Sequence, residues 1–299
     1  MTKGGYAVKL LSHYRNGNYN VEIYSDGTKV RYTKDDEFKA QFPENIDLKI
    51  TNYCDASCAF CHENSTIEGK HGNLNQKFID TLRSGTELAI GGGNALEHPG
   101  LKEFLIKMKE KKIFCNLTVN QIHFIKSFDF IKSLVDEDLI KGLGVSFMRY
   151  DEDMIEKIKM FDNAVLHVIN GIITQENLTK LSDKGLKVLV LGYKYLRRGE
   201  KYYNKGVEIK KNELKESIIS FIPKFKVISF DNLALEQLDL RSKISRREWE
   251  CFYMGDDGSH TMYIDLVEEE FALSSTSLNR NKIKGSIDEM FAEVNNKVV

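Results

Sequence analysis

The chain has 299 residues, of which 41% are hydrophobic and 29% are charged, and its formal net charge at pH 7 is −1. This composition is that of a soluble globular protein, and it excludes a chain whose overall positive charge would attract nucleic acid. The length is sufficient for one large domain or for a domain with an appendage. The first twenty residues lack the apolar segment of a signal peptide, and no apolar run is long enough to cross a bilayer. We therefore expect a cytoplasmic protein without a membrane partner.

The first predicted unit, residues 1–45, is a β appendage. Apolar and polar residues alternate on both sides of Asp26-Gly27 in the segment YNVEIYSDGTKVRYT. An Asp-Gly pair between two alternating segments is a strong signal for a β-hairpin. We therefore expect an N-terminal hairpin before the chain passes Pro43.

From residue 46 to residue 232, strand-like and helix-like segments alternate. The predicted strands are 46–51, 86–92, 112–120, 143–147, 164–170, 187–193 and 226–232. The predicted helices are 75–84, 101–111, 128–136, 151–161, 174–185 and 211–223. This spacing is typical of βα units and predicts an α/β fold with a parallel sheet and helices packed against it. Six or seven consecutive units suggest a partial or complete barrel, although an open doubly wound sheet would have the same periodicity.

The last predicted unit, residues 233–299, departs from the βα pattern. Its first part, 234–255, has a helical pattern, and two strand-like segments then form a predicted hairpin, TMYIDL and EEFALSS. A short amphipathic segment, GSIDEMFAEV, predicts a closing helix. We expect these elements to form a C-terminal α+β cap on the barrel.

Three of the five cysteines lie close together in the segment CDASCAFC. Cys54, Cys58 and Cys61 have the spacing C-x3-C-x2-C and follow the first predicted strand of the βα series, where barrels carry their reactive loops. Thiolates are soft ligands that bind zinc, copper(I) or iron–sulfur clusters. Three interpretations are open at this point. The cysteines share the loop by chance, or they form a zinc site with His62, or they hold a four-iron cluster that leaves one iron without a protein ligand.

The segment resembles the cluster-binding motif of the radical S-adenosylmethionine (SAM) superfamily, C-x3-C-x-φ-C, in which φ is aromatic and is Phe60 here. The resemblance implies a partial (β/α)6 TIM-like barrel and one [4Fe–4S] cluster held by Cys54, Cys58 and Cys61. It also implies that SAM binds the open iron and is cleaved to a 5′-deoxyadenosyl radical by an electron from a reductant such as flavodoxin or ferredoxin. That radical would abstract a hydrogen atom from the substrate under anaerobic conditions.

The same resemblance suggests where SAM would bind. In the family, a Gly-Gly-Glu segment after the second barrel strand receives the methionine ammonium group. This chain has Gly91, Gly92 and Gly93 followed by Asn94 in that place. Because the usual acidic residue is absent, Asn94 and the backbone carbonyls are the candidate ligands. The expected SAM site is completed by groups at the ends of later strands: Asn120, Ser146, Arg149, Ile169, Asn170 and Gly171.

Two cysteines lie outside the loop. Cys115 falls within a predicted strand and is interpreted as a small buried hydrophobic residue. Cys251 lies in the segment EWECFYMG, beyond the barrel pattern. Some members of the family use one such cysteine to return a hydrogen atom to the substrate radical, and an inert thiol is the alternative. The absence of a second cysteine cluster predicts that the chain holds one iron–sulfur cluster.

Three functions are consistent with these observations. The first is a radical SAM enzyme that modifies a peptide or protein, which we favour slightly because the chain is not basic overall. The second is a radical SAM enzyme that modifies a nucleotide or nucleoside, bound by the basic and aromatic segment around Lys194 to Arg198. The third, from another class, is a non-catalytic iron–sulfur electron-transfer protein.

Overall fold

The N-terminal part of the chain forms a three-stranded antiparallel sheet in the computed structural model, which describes residues 8–295. Its strands are β1 (Leu10–Asn16), β2 (Tyr19–Tyr24) and β3 (Lys29–Tyr32). The predicted hairpin is present, because β2 pairs with β3 across a turn in which the Gly27 amide donates to the carbonyl of Tyr24 at 3.0 Å. The outer ends of the two predicted terminal units, 1–7 and 296–299, lie outside the described residues.

A second sheet of ten strands carries the rest of the described chain. Its strands are β4 (Asn45–Thr51), β5 (Glu87–Gly92), β6 (Phe114–Asn120), β7 (Gly142–Ser146), β8 (Ala164–Ile169), β9 (Lys187–Leu191), β10 (Val227–Phe230), β11 (Thr261–Asp265), β12 (Glu270–Ala272) and β13 (Asn281–Lys282). The strand order is β10-β9-β8-β7-β6-β5-β4-β11-β12-β13. The strands from β4 to β10 pair in parallel, each with the next in the chain, as the βα pattern predicts. A doubly wound sheet would reverse its order at a switch point, and none occurs between β4 and β10.

Ten α-helices occur in the described chain. They are α1 (Leu101–Glu110), α2 (Gln121–Lys126), α3 (Phe128–Asp136), α4 (Glu152–Ile158), α5 (Gln175–Leu181), α6 (Arg198–Tyr202), α7 (Lys205–Phe221), α8 (Asn232–Leu238), α9 (Arg246–Phe252) and α10 (Ile287–Asn295). Short 3-10 segments lie at Lys77–Thr81, Ala95–Glu97, Ile222–Lys224 and Leu240–Ser242. None of the described helices combines the length and hydropathy that crossing a bilayer would require.

Two predicted helices are replaced by other local structure or interrupted. The segment 75–84 forms a 3-10 turn at Lys77–Thr81, which has no side-chain cap at its start. The predicted helix 234–255 is interrupted because Asp239 adopts a left-handed backbone conformation (φ +53°) and ends α8. A new helix, α9, begins after Ser245, whose hydroxyl forms a capping box with Glu248.

The predicted C-terminal cap is partly an extension of the main sheet. Strand β11 pairs in parallel with β4, and Ile264 is opposite Leu48. The expected hairpin of β11 and β12 is present and antiparallel, and it lies in the same sheet as β4. The strand that precedes the cysteine loop therefore has a neighbour on each side, one of them from the C-terminal part of the chain.

The two faces of the main sheet differ in polarity. One face, which we call the apolar face, carries buried residues such as Leu48, Ile90, Leu117 and Val168, and these form one hydrophobic core with the helices. The opposite face, which we call the polar face, carries residues at the alternate positions that are polar, small or half-buried. Residues on this face include Lys49, Gly91, Thr118, Gly144, Ser146 and His167. Because successive strand residues point to opposite faces, this alternation leaves a surface that the helices do not cover.

Candidate functional site

The cysteine loop begins at the carboxyl end of β4 and is fixed by its own backbone. The amide of Cys54 donates to the carbonyl of Thr66 at 2.8 Å, and the amide of Cys61 donates to the carbonyl of Cys58 at 3.2 Å. Ser57 adopts a left-handed conformation (φ +51°), which turns the chain between the first and second cysteines. The predicted position of the loop at the carboxyl edge of the parallel sheet is therefore found in the structure.

The three thiols of the loop are half-buried and close to one another. Burial raises the pKa of Cys54 and of Cys58, and the negative charges of the neighbouring cysteine thiolates raise the pKa of Cys58 further. Three thiolates in this position would repel one another without a cation between them. A bound metal cation would offset this repulsion and favour the thiolate form.

The three thiols of the loop do not have the mutual spacing of ligands around a single ion. Around one zinc ion, thiolates at about 2.3 Å from the metal lie roughly 4 Å from each other. Among the described residues, one group of three has all its potential ligand atoms within 4.8 Å of one another, and it consists of Cys54, Asp55 and His123. Cys58 and Cys61 are not part of that group, as expected if each cysteine ligates a different metal atom. His62, considered as a fourth zinc ligand, instead has its Nε2 atom 3.3 Å from both Glu63 Oε1 and Lys194 Nζ.

The glycine segment after β5 is packed directly against the cysteine loop. The amide of Gly93 donates to the carbonyl of Thr51 at 2.8 Å, and the amide of Asn94 donates to the carbonyl of Tyr53 at 2.6 Å. A Cβ atom at Gly93 would lie 2.1 Å from the Tyr53 oxygen, and Gly92 has φ +113°. These two glycines are therefore explained by close backbone packing, which the sequence alone did not reveal.

Gly91 and Asn94 differ from these two glycines, Gly91 by open space beside it and Asn94 by an unsatisfied buried oxygen. A Cβ atom at Gly91 would have the Thr118 Cβ, 4.0 Å away, as its nearest neighbour, so this position leaves space above the polar face. Asn94 is buried, at 2% exposure, and its Oδ1 atom has no hydrogen-bond partner within the described part of the chain. A buried carbonyl oxygen without a donor is costly, and an ammonium group is a suitable donor for it. These two features fit the methionine end of SAM.

Asn120 is the last residue of β6, and its side chain points to the cysteine loop. Its side-chain oxygen accepts a hydrogen bond from the Ile122 amide and caps α2, while its Nδ2 atom lies 3.5 Å from the Cys58 sulfur. Ser146 is its partner on β7, at the same level of the polar face. The structure therefore brings Asn120 into contact with the cysteine loop and places Ser146 beside it on the next strand.

Phe60 and Ile169 line one small cavity of about 40 Å³, together with residues at the end of β9. The Phe60 ring meets Tyr202 edge to face, with 5.7 Å between ring centroids. Asn170, the next residue after Ile169, is fully buried, and its side-chain amide donates to Gln237 Oε1 at 3.0 Å. Gly171 packs against α7, where a Cβ atom would lie 2.8 Å from Val207. Of these three consecutive residues, Ile169 therefore faces the cavity, and the other two secure the turn.

Three residues highlighted in the sequence lie in other environments. Arg149 is exposed, and its backbone amide donates to Gln121 Oε1 at 3.1 Å. Cys251 is exposed on α9, a helix without a buried residue. Cys115 is buried on the apolar face, as predicted, and burial raises the pKa of its thiol to about 12.

A buried ion-pair network beneath the loop was not predicted from the sequence. The Lys49 ammonium lies 2.8 Å from Asp265 Oδ2 and 2.9 Å from Glu63 Oε2. Burial alone would raise the pKa of Glu63, but the hydrogen bond from His62 and the charges of His62 and Lys49 together lower it. The available signal was a lysine within the apolar segment IDLKIT, because lysine is rarely buried without a partner. The network joins β4, β11 and the residue two positions after Cys61.

A second pair that the sequence did not indicate lies beside the first cysteine. The His123 Nε2 atom on α2 is 2.6 Å from Asp55 Oδ1, and the histidine is 1% exposed. This hydrogen bond lowers the pKa of Asp55. The pair fixes the residue that follows Cys54, and thus one end of the cysteine loop.

Comparison with known proteins relates the fold to one group of solved structures. No protein-family model matches the chain, and no match was found among curated proteins. The structure of Streptococcus suis SuiB bound to the precursor peptide SuiA superposes with a TM-score of 0.61 at 17% identity, covering 87% of this chain and 67% of SuiB. SuiB bound to S-adenosylmethionine gives a TM-score of 0.61 at 15% identity, covering 87% of this chain and 68% of SuiB. The chain therefore shares the fold of SuiB.

Proposed function

We propose that this protein is a radical SAM enzyme that modifies a peptide or protein, built on a partial (β/α)6 barrel. The observation that carries the proposal is the set of three cysteines with C-x3-C-x2-C spacing at the carboxyl end of β4. This loop faces the glycine segment at the end of the adjacent strand. The likeness of the fold to SuiB, which has been crystallised with S-adenosylmethionine, supports the same proposal.

In this proposal, Cys54, Cys58 and Cys61 hold one [4Fe–4S] cluster, and SAM is the bound cosubstrate. A cluster with one iron free of protein ligands supplies the electron that cleaves SAM and so generates the oxidant for an unactivated C–H bond. The protein supplies the ligands, their orientation and the surrounding electrostatics. Asn120 donates a hydrogen bond towards the Cys58 sulfur and thereby stabilises added negative charge at that position.

The polar face supplies the groups that would orient SAM. The Asn94 oxygen would accept from the ammonium group of the methionine moiety, and the space at Gly91 would admit its backbone. Phe60 and Ile169 would pack against the apolar surface of the adenine ring. Ser146, at the level of Asn120, would accept or donate a hydrogen bond at the ribose.

A peptide substrate is better supported than a nucleotide. SuiB has been crystallised with a precursor peptide. The basic segment considered for nucleotide binding is occupied by contacts within the chain. Arg197 Nη1 donates to the His62 carbonyl at 2.8 Å, Arg198 donates to the Ser65 carbonyl, and Lys194 donates to Ser275 Oγ at 2.8 Å. Side chains that already bind protein oxygens are less available to phosphates.

Anaerobic reconstitution with iron and sulfide tests the cluster and the chemistry together. The parent protein should bind about four irons per chain and, with SAM and dithionite, release 5′-deoxyadenosine. Cys58→Ala should lose nearly all of the iron and the 5′-deoxyadenosine. Cys251→Ser, which changes an exposed thiol outside the loop, should keep both.

Two results would reject the proposal. A full complement of iron without SAM cleavage would favour the electron-transfer protein. Retention of zinc in place of iron after anaerobic purification would favour a structural metal site.

A further inference from the structure

A cavity of about 370 Å³ lies at the amino end of β4, away from the cysteine loop. Its walls come from the N-terminal sheet, from the first residues of β4, from the segment after β10 and from residues 254–257. This volume is within the range of small-ligand sites in proteins, which is roughly 300–1,000 Å³. No residue discussed above as a cluster or SAM ligand lines this cavity.

The two cations of the cavity wall are already paired. Lys29 Nζ donates to Asn45 Oδ1 at 2.6 Å and lies 3.3 Å from Glu44 and 3.4 Å from Glu87. Arg31 Nε lies 2.9 Å from the same Glu44, whose side chain is fully buried. These cations therefore offer little charge to a further anion.

Three further carboxylates of the cavity wall, those of Asp47, Asp231 and Asp257, form no ion pair with the residues that the structure describes. The Asp47 side chain forms no hydrogen bond or ion pair with the residues that the structure describes, and it is exposed towards the cavity. Asp231 accepts from the backbone amides of Gly192 and Ala234, and Asp257 accepts from the side-chain amide of Asn232 at 2.8 Å. Burial raises the pKa of Asp231, and its hydrogen bonds from the Gly192 and Ala234 amides oppose that effect. The cavity therefore has an unbalanced negative charge.

The cations nearest to these carboxylates are held elsewhere. Lys194 donates to Ser275, and Lys49 is bound between Glu63 and Asp265. Arg280 donates to the carbonyl of Ser275 and lies over the Tyr263 ring at 4.7 Å. An incoming cation would meet the Asp47 carboxylate without displacing an ion pair.

The position of the cavity relates it to the cysteine loop. Asp47, Lys49 and Thr51 alternate along β4 on the polar face, and the loop begins directly after Thr51. The four-residue step from Asp47 to Thr51 spans about 13 Å at the usual strand rise. The cavity and the loop thus lie at opposite ends of one strand, with the buried side chains of Lys49 and Thr51 between them.

We propose that this cavity binds the cationic side chain, lysine or arginine, of the peptide substrate, with Asp47 and Asp257 facing the charge. The proposal rests on the proposed function, and it adds a substrate class to it. Cation binding in the cavity and SAM cleavage at the loop involve different residues, so each can be measured without the other.

Calorimetric titration of the reconstituted full-length protein tests this proposal with defined probes. The probes are the Nα-acetyl, N-methylamide derivatives of lysine, arginine and the neutral norleucine. At least one cationic derivative should bind about tenfold or more tightly than the norleucine derivative. Asp47→Asn should reduce this preference by about tenfold, and Asp257→Asn, which can still accept from Asn232, provides a second variant if the first fails to fold.

Asp153→Asn on α4 is the matched control. The exposed Asp153 carboxylate pairs with Lys157, and neither residue lines the cavity. It should leave the preference for cations unchanged. Equal binding of the cationic and neutral derivatives would overturn the proposal, as would a preference that survives both Asp47→Asn and Asp257→Asn. If either result is found and the protein still releases 5′-deoxyadenosine normally, the cation site is rejected and the proposed radical SAM function is retained.

Discussion

The surroundings of Gly91 and Gly93 predict that an added methyl group has a different effect at each position. A Cβ atom at Gly93 would lie 2.1 Å from the Tyr53 oxygen, whereas at Gly91 the nearest atom would be 4.0 Å away. Gly93→Ala should therefore destabilise the protein by about 1–3 kcal/mol, because backbone at the cysteine loop must move. Gly91→Ala should leave stability unchanged and weaken SAM binding, because the methyl group occupies space on the polar face.

Urea unfolding and SAM titration of both variants provide the measurements. If Gly93→Ala unfolds at the same urea concentration as the parent, the packing of this segment against the loop is not as described. If Gly91→Ala binds SAM as tightly as the parent, Gly91 does not border the SAM site.

The burial of His167 predicts that the folded protein loses stability in mild acid. It lies against Gly144 and Thr118 on the polar face, and burial lowers its pKa to about 4. Between pH 6.5 and pH 4 the unfolded chain binds a proton at this position that the folded chain does not. The free energy of unfolding should therefore fall as the pH is lowered through this range, by about 1.4 kcal/mol for each unit of pKa difference.

The pH dependence can be assigned by comparing variants. His167→Gln should flatten the curve of unfolding free energy against pH in urea denaturation. It should not abolish the slope, because burial also lowers the pKa of His260 to about 4. His13→Gln, at an exposed position, is the control. A His167→Gln curve parallel to that of the parent would contradict the assignment.

At the scale of elements, Lys49 connects two strands and the cysteine loop. Its ammonium compensates the carboxylates of Asp265 on β11 and Glu63 after the loop, and all three side chains are almost fully buried. Lys49→Met should cost about 3–5 kcal/mol, because two carboxylates would remain buried without a cation. Lys102→Met, which removes a surface pair with Glu137, should cost about 0–1 kcal/mol.

Chemical denaturation of the two variants and of the parent measures these costs. Similar losses for Lys49→Met and Lys102→Met would show that the buried network contributes no more than a surface pair. Reduced iron loading in a folded Lys49→Met variant would indicate that the network also orients the loop.

Elements with a local signal could be predicted from the sequence. The segment 128–136 carries apolar residues at helical spacing and forms α3 over the same residues. Helix α7 begins six residues before the prediction, because Asn204 caps it by accepting from the amides of Gly206 and Val207. The break at Asp239 was missed, because a left-handed residue in mid-helix leaves the apolar spacing on either side intact.

At the scale of the whole molecule, the limits of sequence reasoning follow from distance along the chain. The βα repeats and the cysteine spacing are local patterns, and they predicted the parallel sheet and the position of the loop. The pairing of β11 with β4, and the contact of Lys49 with Asp265, join residues more than two hundred positions apart. Nothing local to either segment specifies its partner, so these contacts required the structure.

The difference in polarity between the two faces of the main sheet is visible in the strand sequences, although the predictions from the sequence did not include it. Strands such as NIDLKIT, FCNLTVN and AVLHVI alternate between apolar residues and residues that are polar or less buried. A parallel sheet covered on both faces would have nearly continuous apolar strands. The alternation thus identifies one face as a surface for ligands, and the candidate SAM residues and the cation-binding cavity both use it.

The placement of β11 beside β4 has a consequence for biosynthesis. A ribosome completes Thr51 and the cysteines long before it reaches Thr261–Asp265, so the nascent loop lacks both its second flanking strand and the Asp265 carboxylate that binds Lys49. The loop therefore gains its full structural support only after Thr261–Asp265 have been translated and have paired with β4. In the proposed function, a cluster inserted before that pairing would meet a less supported loop than one inserted after it.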